Sequence, residues 1–109
     1  MAHSPFVVHW EQGSLTLPLP ASTAETLDQD LTSLLQAWQG SPPQPVWERI
    51  MPLIPNEITL EVFCNPNIWV AAHAARLLLT LKTTQIKVSV EVMLTQFHED
   101  LTLFRESLS

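Results

Sequence analysis

The chain has no tyrosine, one cysteine and only two glycines, and each shortage closes a route to function. Two glycines cannot build a P-loop or a dinucleotide fingerprint, both of which need small residues at fixed offsets. A lone Cys64 excludes an internal disulfide and fits a reducing compartment. Without tyrosine, and with few paired acids, general acid–base catalysis has no evident set of groups. Bases are scarce too: five (Arg49, Arg76, Lys82, Lys87 and Arg105) stand against eleven acids, for a formal charge of −6. They are scattered, which argues against nucleic acid and against an anionic membrane surface as partners. Charged residues make up 15% of the chain, where about 25% is usual. A surface so short of charge is either rich in neutral polar groups or carries apolar area that a partner covers.

The longest apolar stretch, near 68–81, is broken by His73 and Arg76 and is too short to span a bilayer. No basic residue precedes an apolar run at the N-terminus, so we expect no signal peptide and a cytoplasmic location. His3, His9, His73 and His98 lack the spacing of metal ligands. Cys64 has no second cysteine or nearby base to activate it, and the alternation around it turns it inward beside Val62. We therefore expect no metal, no cofactor and no enzymatic activity.

What is present is apolar patterning, with 46% of the 109 residues hydrophobic, enough for one domain over 1–109. Phe6 to Trp10 and Ser14 to Leu19 read as a hairpin, with Gly13 supplying a permissive backbone angle. Ser22 and Glu25 have capping-box spacing, and Ala24, Leu27, Leu31, Leu34, Leu35 and Trp38 then form a helical stripe closed by Gly40. A proline-rich connector follows over 41–55, in which Val46 to Met51 suggest a short helix ended by Pro52 and Pro55. Glu57 to Cys64 alternates as a strand. Asn65 and Pro66 then open what reads as a second long helix, Ile68 to Lys82. Gln85 to Leu94 alternates again, and Phe97, Leu101, Phe104 and Leu108 make a closing amphipathic helix.

A strand, helix and strand in such close succession imply two parallel strands joined by a right-handed crossover. The expected fold is α/β: a two-layer sandwich with a mixed sheet of about four strands and helices mainly on one face. The expected order is β-β-α-α-β-α-β-α. Because the strands alternate rather than run apolar throughout, one sheet face should be open. It should carry Thr59, Glu61, Phe63, Lys87, Ser89, Glu91 and Met93.

The run from Ser14 to Leu27, the strand Ile58 to Val62, the helix from Ile68, the strand Ile86 to Val92 and the helix Phe97 to Leu108 follow an order that resembles the STAS (anti-sigma-factor-antagonist-like) domain. The resemblance is one of element order. It implies a regulatory module that binds another protein. Kinase-regulated members carry a phosphorylated Ser or Thr after an Asp at the second helix start, where this chain has Cys64-Asn65-Pro66-Asn67.

These readings converge on a non-catalytic interaction or regulatory module: an adaptor, regulatory subunit or inhibitory partner. Trp69, off the stripe of its expected helix, is the candidate anchor, joined by Trp47 on the connector and by Phe63 and Met93 on the open face. The partner would be another protein, with self-association through the open face or an edge strand a compatible outcome. The alternative is a small-ligand or enzymatic domain using the mouth from Cys64 to Trp69. There the amides near Asn65, Asn67 and Ile68 would receive an anion.

Overall fold

The computed structural model describes residues 4–40 and 45–108. In chain order they form β1 (Ser4–Trp10), β2 (Gly13–Leu19), α1 (Ala21–Gly40), β3 (Trp47–Ile54), β4 (Ile58–Cys64), β5 (Arg76–Lys82), β6 (Lys87–Met93) and α2 (Leu94–Ser107). All pairing is antiparallel. β1 and β2 make a two-stranded sheet, and β3 to β6 make a four-stranded sheet in sequence order. The fold thus combines helices and strands as expected, but the sheet is not mixed and the order β-β-α-α-β-α-β-α does not hold.

The hairpin follows from its alternation: Phe6 pairs with Leu17 and Val8 with Leu15, and these side chains point into the core. Its turn, Glu11-Gln12, needs no glycine. Gly13 has no positive φ, and a Cβ there would meet only the Trp10 ring at 3.9 Å. α1 begins immediately after Pro20, whose carbonyl accepts from the Ala24 amide at 2.9 Å. Ser22 therefore lies within the first turn and is not the cap that its spacing with Glu25 suggested. Ala24, Leu27, Leu31 and Leu34 form the buried stripe of α1, and Leu94, Phe97, Leu101 and Phe104 that of α2.

Two segments depart from their expected form. The short helix expected within 46–51 is part of β3, with Trp47 and Leu53 inward and Glu48, Ile50 and Pro52 outward. Pro52 is tolerated because β3 is an edge strand, and the register shifts between Pro52 and Ile54. The first part of the proline-rich connector, 41–44, lies outside the described residues. The β3–β4 turn, Pro55 to Glu57, places Asn56 at φ 64°. Asn56→Ala is expected to cost about 1 kcal/mol there and Asn56→Gly almost nothing, as read from urea midpoints.

The second correction is larger. No helix runs from Ile68 to Lys82. Residues 65–75 form a loop with 3-10 turns at Pro66–Ile68 and Ala72–Ala74, and Arg76–Lys82 is a strand. Leucine is compatible with either state, so tertiary context decides. As a strand, Leu77 and Leu79 enter the core while Leu78 and Lys82 face outward, and the backbone pairs on both sides with β4 and β6. The parallel crossover is thereby replaced by an antiparallel meander.

One core joins the inner face of the four-stranded sheet, the inner face of the hairpin and both helical stripes. β1 rests on α2, where the Phe6 ring meets Phe97 edge-on at 5.7 Å and Phe104 at 5.2 Å. Asp100 of α2, itself buried, accepts from the His9 amide at 3.0 Å and from Gln96 Nε2 at 3.0 Å. Every inward face of the four strands is used by this core. Their outward face is not.

Candidate interaction surface

Strand register arranges the outward side chains of the four-stranded sheet in rows. Glu48, Phe63, Leu78 and Glu91 stand side by side, and the next row is Ile50, Glu61, Thr80 and Ser89. The third row is Pro52, Thr59, Lys82 and Lys87. Across these rows runs a diagonal of large apolar groups: Ile50, Phe63, Leu78 and Met93. Phe63 lies directly opposite Leu78, while Ile50 and Met93 are diagonal neighbours of the pair, within reach of long side chains. Their exposures are 63% for Ile50, 37% for Phe63, 39% for Leu78 and 38% for Met93. One flank of this stripe is polar and internally bonded. Lys82 Nζ sits 2.7 Å from Glu61 Oε2, and the Thr80 and Ser89 hydroxyls are 3.0 Å apart.

The expected outward set is thus found as a set, with Phe63 and Met93 on the open face. Ile50 and Leu78 were missed, because both fall in stretches that read as helix. Trp47 is 7% exposed and belongs to the core, its ring stacked under the Arg49 guanidinium at 4.9 Å. Arg49 is in turn held by Asp30 at 2.7 Å. Trp69 is half-buried against the core, and its indole N–H is shielded without a partner among the described residues. The exposed apolar groups of its loop are instead Ile68 and Val70, the latter 97% exposed.

The mouth at Cys64 to Trp69 is already committed. The Asn67 amide donates to Asn65 Oδ1 at 3.1 Å, and the Ile68 amide turns back to the Asn65 carbonyl at 3.5 Å. Cys64 is buried, and burial pushes its thiol up to about 11, far from the range of a reactive thiolate. Among the described residues no group of three His, Cys, Asp or Glu could hold a metal, and no helix is long and apolar enough to cross a membrane.

A cleft that the sequence did not reveal lies where the hairpin tip meets the β6–α2 junction. It encloses about 250 Å³ and is walled by His9, Trp10, Met93 and Gln96. Its rim is the ion pair Arg76–Glu11 at 2.8 Å. These partners are 65 residues apart in sequence, so no local spacing could announce them.

The helices carry a second charged cluster. Asp28 of α1 accepts from Arg105 Nη1 at 2.6 Å and lies 2.8 Å from His98 Nε2, both on α2. Partial burial raises its pKa, but the bonds and charges of Arg105 and His98 outweigh that and hold it below the ordinary 3.8. A depressed carboxylate stabilises the fold above its unfolded pKa and loses that contribution as pH falls through the folded value. Wild-type stability is therefore expected to drop more between neutral pH and pH below about 4 than that of Asp28→Asn, in urea titrations at both pH values.

The chain matches no protein-family model, no curated protein and no solved structure. Function therefore has to be argued from its own residues. The β–α–β unit on which the STAS likeness leaned is an antiparallel meander here.

Proposed function

We propose that this protein is a non-catalytic interaction module that engages a protein partner through the outer face of its four-stranded sheet. The diagonal of Ile50, Phe63, Leu78 and Met93 is the observation that carries this reading. Phe63 and Met93 are of the kinds that the centre of a protein contact favours, and Ile50 and Leu78 extend their apolar area between the flanking Glu48 and Glu91. The polar groups beside them are paired off: Glu61 and Lys82 neutralise one another, and the buried Thr80 hydroxyl is satisfied by Ser89. A scattered handful of bases on an acidic chain supports a protein rather than a nucleic acid as the partner. A small-ligand role at Asn65 to Ile68 has less support, since the amides that would receive an anion are bonded within the loop.

The test is retention from a lysate of the native host. Wild-type protein and a Val7→Thr control, altered on the outward side of the hairpin, should hold the same stoichiometric companion. Phe63→Thr/Leu78→Thr should lose it. Retention by the double variant would contradict the reading.

A further inference from the structure

We propose that β6 is a pairing edge for a second copy of this chain, the two β6 strands joining antiparallel about a two-fold axis at Ser89. The two ends of the four-stranded sheet are treated differently. The β3 edge carries Pro52 and a register shift, both of which discourage strand addition. β6 has neither; it pairs with β5 without a register shift from Lys87 to Met93.

The direction of its backbone groups follows from two bonds at its ends. Thr83 donates to the Ile86 carbonyl at 2.7 Å, and Leu94 donates to the Ala75 carbonyl at 3.0 Å. Hydrogen-bonded pairs alternate along an antiparallel ladder. Val88, Val90 and Val92 therefore bond to β5, while Lys87, Ser89 and Glu91 turn their N–H and C=O groups to the open edge. The close approach of the Thr80 and Ser89 hydroxyls, at 3.0 Å, agrees with Ser89 being in a non-bonded pair with β5.

Side-chain complementarity selects the occupant. With the axis at Ser89, Lys87 stands opposite the second copy's Glu91 and Glu91 opposite its Lys87, and these are the residues whose backbone groups face outward. On the inner side Val88 meets Val90. An axis at Glu91 or Lys87 would oppose like charges, and one at Val88 or Val90 would leave both charges unmatched. Within the chain Lys87 faces Lys82, a like-charge pair. Neither Lys87 nor Glu91 has an ion pair within 4 Å among the described residues, Glu91 being attracted at longer range by Arg76. A groove of about 330 Å³, with Arg76 among its walls, separates Trp10–Gln12 at the hairpin tip from Ser89–Glu91, and the incoming strand enters it. The axis is perpendicular to the sheet, so both outer faces would lie on one side of a continuous eight-stranded sheet and offer two apolar stripes to a partner.

The experiment is sedimentation equilibrium of wild type, Lys87→Glu, Glu91→Lys and the double charge swap, with melting curves to check that each folds. Wild type should associate to a dimer, and each single swap should weaken it on the order of tenfold. The double swap should restore it, because the opposite charges again meet. Amide exchange at Lys87, Ser89 and Glu91 should slow with protein concentration. A wild-type monomer at every concentration would overturn the proposal. So would a dimer indifferent to the single swaps or not recovered by the double swap.

Discussion

Phe97→Ala is expected to cost about 3–5 kcal/mol, read as a lowered urea midpoint with little change in slope. Phe97 is wholly buried and packs with Phe6 in a T-shaped pair, so its removal empties space between β1 and α2. The hairpin forms no ladder with the four-stranded sheet, so it is held by side-chain packing of this kind together with the His9–Asp100 bond and the Glu11–Arg76 ion pair. Backbone cannot collapse into the gap without disturbing the bond from the His9 amide to Asp100, which fixes β1 against α2. A domain of this size holds only about 5–15 kcal/mol in total, so the variant should be marginally folded. Leu103→Ala, on the exposed side of the same helix, should stay within about 0.5 kcal/mol of wild type. Equal costs at the two positions would mean that β1 does not rest on α2 as described.

The second large effect concerns binding. Phe63→Thr combined with Leu78→Thr should weaken the protein partner's affinity on the order of 100-fold, since central apolar anchors dominate such contacts. Threonine keeps the β propensity and branched shape of a strand residue. The stability cost should therefore be modest, about 1 kcal/mol for each site, because both side chains are already more than a third exposed. Affinity measured by calorimetry and stability measured by urea would separate the two effects. A loss of affinity no larger than the loss of stability would assign these residues to the fold alone.

Much of the fold is legible where period and punctuation agree. The hairpin, α1, β4, β6 and α2 each show one clear periodicity, although β6 passes into α2 at Met93–Leu94 with no turn residue between them. β3 and β5 do not. Pro52 and Pro55 disguise β3, because a sequence does not reveal which strand will be an edge that tolerates proline. In β5 the run Leu77-Leu78-Leu79 fits both a helical stripe and a strand, and the alanines before it favour helix. Only pairing with β4 and β6, which is long-range, resolves the choice.

The candidate surface inherits those two errors. Phe63 and Met93 stand out because they are large apolar residues on the polar side of recognisable strands. Ile50 and Leu78 stay hidden until their segments are read with period two. Trp47 and Trp69 mislead for a different reason. Tryptophan is as much at home in a core as in an interface, and the stacking of Trp47 under Arg49 depends on a register that composition does not contain.

The most direct test of the sheet-face reading is a photo-crosslinking amino acid placed at Leu78 in the native host, with Val7 as the control position. The account predicts one defined adduct from Leu78, at the mass of this chain plus its partner, and none from Val7. An adduct of equal strength from Val7, or a captured partner that Leu78 fails to label, would contradict it.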